Sequence, residues 1–239
     1  LNVGGLVEVT SWQDNVDAVV LCWQPGQEGG NTVASVLSGE VNPSGHLPAT
    51  ISTEYALEPT AKNFPQVFAD KPFNYSYYRQ LTDRKLPLHT VRNIDFTEYE
   101  EGIYVGFNTF APKAVAYPFG FGLSYTTFDF KDMKVESAGD GWDVQVTVTN
   151  TGKVNGKDVV QLYVRAPKGE LDKPERELKG LAPGESCTVT IHIAESSLAS
   201  YNEKTSSWET DPGKYVFMAS KDASDCQLKK VVKVSGTDR

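Results

Sequence analysis

The sequence is poor in the residues that build metal and redox centres. It holds three cysteines, Cys22, Cys187 and Cys226, and three scattered histidines, His46, His89 and His192, in 239 residues. No Cys-x-x-Cys pair and no cysteine–histidine spacing occurs, so no metal site is expected. Cys22 lies in an apolar run and reads as a buried thiol. Cys187 and Cys226 admit two readings, free thiols or a pair carried by neighbouring strands. Basic residues are also short: 23 lysines and arginines face 31 acidic residues, a net charge of −8. That balance disfavours nucleic acid and anionic membrane surfaces as partners, and neither is expected. No apolar run reaches the length of a transmembrane helix. The Gly-x-Gly-x-x-Gly fingerprint of dinucleotide binding is missing, as is the lysine of a phosphate loop, and no cofactor is expected.

What is present begins with one organising stretch, Val16 to Ile51. Val16–Cys22 is an apolar, valine-rich run of strand length. Pro25, Gly26, Gly29 and Gly30 then turn the chain, and Asn31–Leu37 carries Val33, Val36 and Leu37 on one helical face. Gly39 ends that helix, and Asn42-Pro43-Ser44-Gly45 is a turn. Glycines between strand and helix either cradle an anion or allow close strand–helix packing. Upstream, Leu1–Thr10 reads as the end of a strand and a loop, an edge that points to a preceding segment. Ser11 is expected to cap a short turn, with Asp14 three residues on. The chain opens without a methionine, so the lack of a visible signal peptide says nothing about export.

Ser52–Glu98 is long, irregular and aromatic. Its tyrosines and phenylalanines argue against disorder and for an ordered arm laid across a surface, serving either as its own anchor or as a sugar-stacking face. Ile103–Phe107 reads as a strand, and Tyr117–Phe128 as a tight aromatic-glycine turn. From Thr126 the texture changes to short alternating strands. Trp142, Val144, Val146 and Val148 face one way, while Asp143, Gln145, Thr147 and Thr149 face the other. Further strands are expected at Phe128–Val135, Asp158–Arg165, Cys187–Ile193, Ser207–Glu209, Lys214–Ser220 and Leu228–Val234, with a turn at Pro183-Gly184-Glu185. About seven strands in about 110 residues is the pattern of an immunoglobulin-like or fibronectin type III sandwich.

Several motifs run in a telling order: NVGGLVEV with Ser11-Trp12, AVVLCWQPGQEGG, VLSGEVNPSGHLPAT, EYEEGIYVGF, YPFGFGLSYTTF, VTVTNTGKVNGKDVVQLYV and LAPGES. Together they resemble the C-terminal part of glycoside hydrolase family 3, the β-glucosidase-like enzymes. The resemblance implies an α/β plus all-β fold class. Residues 1–124 would be the C-terminal portion of an α/β sandwich domain with the aromatic arm and linker. Residues 125–239 would be a fibronectin type III-like (immunoglobulin-like) β-sandwich. The implied reaction is retaining hydrolysis of terminal β-linked sugars, from an oligo- or disaccharide substrate. It needs two carboxyl groups roughly 5 Å apart. In the family the nucleophile lies on a barrel domain and the acid/base upstream of residue 1, so no catalytic residue is carried onto this chain. The barrel would reside on another chain or another segment. A periplasmic or extracellular location is favoured over a cytoplasmic one. Two departures stand out. Phe107-Asn108-Thr109-Phe110 replaces the family's Tyr-Arg-Tyr-Phe, and Leu178-Lys179-Gly180 runs straight into Leu181-Ala182-Pro183-Gly184-Glu185, so an unusually short connection is expected there.

Rim candidates for a sugar site follow from the residues. Glu98, Glu100 and Glu101 cluster beside Tyr99 and Tyr104, and carboxylates accept hydrogen bonds from sugar hydroxyls; the alternative is a solvated acidic turn. Glu28 either points to a ligand at the strand's C-terminal end or supports the following helix N-terminus. Glu28, Glu101 and Tyr104 are therefore the candidate substrate-contacting residues. The rival function is a non-catalytic carbohydrate-binding or structural interaction module.

Overall fold

The structure, a computed structural model, describes residues 1–54, 57–58, 99, 101–108 and 114–236. Most of the aromatic arm, with Glu98 and Glu100, lies outside the described residues. The N-terminal part carries one α-helix, α1 (Gly29–Leu37), and a two-stranded antiparallel pair, β1 (Ile51–Ser52) with β2 (Val115–Tyr117). No described helix is long and apolar enough to cross a membrane.

The C-terminal part is a sandwich. Its strands are β3 (Phe128–Ala138), β4 (Gly141–Asn150), β5 (Asp158–Arg165), β6 (Glu177–Gly184), β7 (Cys187–Ala194), β10 (Gly213–Ser220) and β11 (Cys226–Val234). A separate hairpin joins β8 (Ser200–Asn202) to β9 (Ser207–Glu209). One sheet has the order β11-β10-β5-β6 and the other β3-β4-β7. The alternation in β4 does what its period requires: Val144, Val146 and Val148 are at most 1% exposed. They meet Val160, Leu162 and Phe217 from the facing sheet, and Trp142 stands edge-on to Phe217 at 5.9 Å. Sheets packed face to face in this way bury alternate residues of each strand.

Several local expectations do not hold, each for a physical reason. Val16–Cys22 forms no regular strand. It lies alongside the first residues through Leu1 N–Val20 O, Cys22 N–Leu1 O and Val3 N–Trp23 O, while Val16 and Val19 stay exposed. Cys22 is half-buried rather than enclosed, and all three cysteines are free. Ser11 does not cap the short 3-10 turn Gln13–Asn15. Its hydroxyl and amide both donate to Glu8, at 2.6 and 2.8 Å, and Thr10 also donates to Glu8. These hydrogen bonds, led by those from the Ser11 and Thr10 side chains, hold the Glu8 carboxyl below its ordinary value. β6 runs through Pro183 and Gly184, the first two residues of the expected turn, so the chain bends into β7 at Glu185-Ser186 instead. Its Pro183 is tolerated because β6 is an edge strand. The two adjoining motifs at 178–185 therefore form one continuous strand and its hairpin, with no separate connection between them.

The β4–β7 pair also carries a titratable clasp. His192 sits opposite Asp143 in register. Its Nδ1 lies 2.7 Å from Asp143 Oδ1 and its Nε2 3.0 Å from Asp140 Oδ1, and both nitrogens donate when the ring is protonated. The Asp143 hydrogen bond, then that of Asp140, raises the His192 pKa, and the His192 bond lowers that of Asp140. The sign of each contribution follows from linkage. The histidine term is complete below its ordinary value of about 6.5 and fades as pH rises through the elevated folded value. The aspartate term is complete above about 3.9 and fades as pH falls through the lowered one. The melting-temperature difference between the native chain and His192→Ala should therefore peak between about pH 4 and 6.5 and shrink by about pH 9. Added salt should reduce it, since all three groups are substantially exposed. A pH-independent difference in a thermal melt would contradict this.

Candidate functional site

The two parts of the molecule are fastened through motifs that the sequence presents as turns. Asn42 Nδ2 donates to Asn155 O at 2.9 Å, and its Oδ1 accepts from Ser124 Oγ and Tyr125 N. His46 Nε2 lies 3.2 Å from Asp158 Oδ1. Leu47 N donates to Phe121 O, and Gly120 N to Leu47 O, each at 2.8 Å. Gly120 sits at φ +82°, where its Cβ-free face abuts the Gln161 amide. Gln161 is 1% exposed. Its Nε2 donates to Gly120 O and Lys221 O, and its Oε1 accepts from Tyr163 Oη. Both amide donors are thereby satisfied, as a buried side chain requires.

On this platform lies the loop that holds two of the three candidates. Ile103–Phe107 is not a strand. Ile103 and Val105 are exposed, Tyr104 N turns back to Glu101 O at 3.0 Å, and Gly106 at φ +65° opens a 3-10 turn over Gly106–Asn108. Phe107 pins the loop from below, 5.5 Å from Tyr163 and 5.4 Å from Phe119. These rings sit on a second apolar cluster formed by Tyr163, Met218 and Ala223. Arg176 lies 5.9 Å over the Tyr163 ring, and burial pushes the Tyr163 hydroxyl pKa well up.

Tyr104 Oη donates to Asp172 Oδ1 at 2.7 Å. That bond is the first cause of the upward pKa shift of the tyrosine. Asp172 belongs to the β5–β6 connection, which is held in turn by Lys173–Asp211, 2.6 Å apart and only 10% and 14% exposed. The sandwich thus sets where Tyr104 stands. Glu101 is half-buried, and its Oε2 is screened from solvent with no hydrogen-bond partner among the described residues. Glu101 and Tyr104 therefore share one turn, with an acceptor oxygen that no described residue engages. Glu28 is placed differently. It occupies the N-cap position of α1 without bonding the helix backbone through its side chain, and its Oε2 accepts from Asn31 Nδ2 at 2.7 Å. Tyr99 is 82% exposed.

Sequence reasoning missed Asp172, Lys173, Asp211 and Gln161. Tyr104–Asp172 spans 68 positions and Gln161–Gly120 41, and periodicity gives no signal at such separations. The arrangement can orient and hydrogen-bond a polyhydroxylated ligand. An acid–base carboxyl would need its pKa raised; the resolved carboxylate shifts among the described residues, at Glu8 and Asp140, are both downward.

Residues 1–125 match the glycosyl hydrolase family 3 C-terminal domain, and residues 158–223 match a fibronectin type III-like domain. The chain is 35% identical to β-glucosidase A of Butyrivibrio fibrisolvens, over 95% of its own length and 28% of that enzyme. It is 31% identical to an exo-α-(1→6)-L-arabinopyranosidase of Bifidobacterium breve, over 99% of the chain and 29% of that protein. It superposes on β-glucosidase 3B of Thermotoga neapolitana, solved in complex with glucose, with a TM-score of 0.82 at 35% identity, covering 99% of the chain and 31% of that structure.

Proposed function

The chain belongs to glycoside hydrolase family 3, and from that premise we propose that it is the C-terminal part of a retaining, exo-acting β-glycosidase of the β-glucosidase type. It supplies scaffold and part of the rim of the site, with Glu101 and Tyr104 at that rim. The reacting carboxyl pair resides on a barrel-bearing polypeptide segment. The observation that carries this reading is the superposition of 99% of the chain on less than a third of a glucose-bound β-glucosidase.

The surface of the N-terminal part supports it. Of the nine residues of α1 only Gly29 is buried, and Leu37 is 67% exposed. Leu1, Leu6, Val7, Val16 and Val19 are exposed as well. An amphipathic helix and several apolar side chains facing water need a cover. The remainder of an α/β sandwich domain, carrying the acid/base carboxyl, is the cover proposed here.

The chain alone should release no measurable aglycone from an aryl β-glucoside. Combined with a polypeptide bearing the barrel and the upstream part of the α/β domain, it should restore turnover, measured by the chromophore released. Turnover by the isolated chain would overturn the reading.

A further inference from the structure

The β8–β9 hairpin is folded inside out. Strand alternation directs Asn202 inward, where it is 7% exposed, and turns Tyr201 and Trp208 outward, where they are 49% and 68% exposed. The polar face is knitted together: Asn202 Nδ2 donates to Glu209 Oε2 at 3.1 Å and Thr205 Oγ1 to Glu209 Oε1 at 2.5 Å. The two rings are cross-strand partners, with centroids 5.5 Å apart and planes at 63°. A hairpin that served only the fold would bury its aromatics and leave its carboxamide in water. This one does the reverse, and the rigid polar network holds the indole in place.

We propose that Trp208, buttressed by Tyr201, is a stacking site for a neutral pyranose ring, the ligand being a β-linked glucan chain. An edge-on neighbour on one side leaves an open indole face, and an apolar ring face suits the C–H face of a pyranose. The Tyr201 hydroxyl and the Trp208 Nε1–H have no hydrogen bond to the described residues, so both remain available to sugar hydroxyls. The isolation of the aromatic pair along its own segment favours a small ligand over a protein partner. From 195 to 213 these two are the only exposed large apolar side chains. A stable protein interface needs roughly 800 Å² on each side, whereas a sugar ring needs one aromatic face and polar surroundings. The choice of a β-linked glucan rests on the glycosidase reading; stacking of a pyranose does not.

Affinity electrophoresis tests this on the 239-residue chain in native gels containing soluble mixed-linkage β-glucan or xylan. The native chain should be slowed by β-glucan. Trp208→Ala should weaken retardation about tenfold, as truncation of an anchoring aromatic does, and Trp208→Phe should keep part of it. Glucan oligosaccharide should also protect Trp208 from N-bromosuccinimide, followed by peptide mass. Unchanged retardation of Trp208→Ala, or none of the native chain by either glycan, overturns the proposal. Neither outcome touches the glycosidase reading, which is scored by turnover of the assembled enzyme.

Discussion

Replacing Gly120 with alanine should lower the melting temperature of the chain by about 10 °C. Two costs add. An L-residue held at φ +82° loses about 1–2 kcal/mol. The new methyl would also overlap the Gln161 amide, displacing a side chain whose two donors and one acceptor are engaged in the interior. Leaving such groups unpaired costs about 1–3 kcal/mol. The sum, about 3 kcal/mol, converts at about 2–4 °C per kcal/mol for a chain of this size. Gln161→Ala should cost less in the Gly120→Ala background than alone, because its bonds are already broken there. Differential scanning calorimetry of the four variants completes the cycle. A melting temperature unchanged by Gly120→Ala would show that the carboxamide yields freely.

Lys173→Ala should destabilise the chain by about 3 kcal/mol, the cost of breaking a largely buried ion pair by removing one partner. Asp211 would stand at 14% exposure with its 2.6 Å partner gone. Lys173→Met combined with Asp211→Leu should recover most of the loss, since an apolar pair of similar volume removes the desolvation problem altogether. The loop over 166–176 also presents Asp172 to Tyr104. Lys173→Ala should therefore bring the raised Tyr104 titration back toward that of an ordinary tyrosine, followed by ultraviolet difference spectra. Urea denaturation measures the first effect. Equal stability of Lys173→Ala and the native chain would mean that water, not the lysine, satisfies Asp211.

Legibility followed the range of the forces involved. The sandwich could be read in advance because alternation at Trp142–Val148 is a two-residue signal, and the facing sheet only had to accept it. β6 escaped because Gly180, Pro183 and Gly184 look like a turn until an edge position is known. Val16–Cys22 was expected as a strand on composition, yet regular pairing needs partners that valine content does not supply. The loop over 101–108 was located as a candidate site from its carboxylates and tyrosines, but its shape depends on Phe107 meeting Tyr163 from another part of the chain. Glu28 shows the same limit. Its place at a helix N-terminus was legible; its bond to Asn31 was one choice among several until side chains were placed.

The seam made by Asn42, His46, Gly120 and Gln161 bears on how such enzymes can be recombined. A hybrid whose break point falls between Gly120 and Asp158 inherits one half of the seam from each parent. Such a chimera should assemble only where the donor sandwich brings a carboxamide at position 161 and a carboxylate at position 158. A splice upstream of Asn42 carries both halves across intact, and is the site at which shuffled libraries should retain folded progeny.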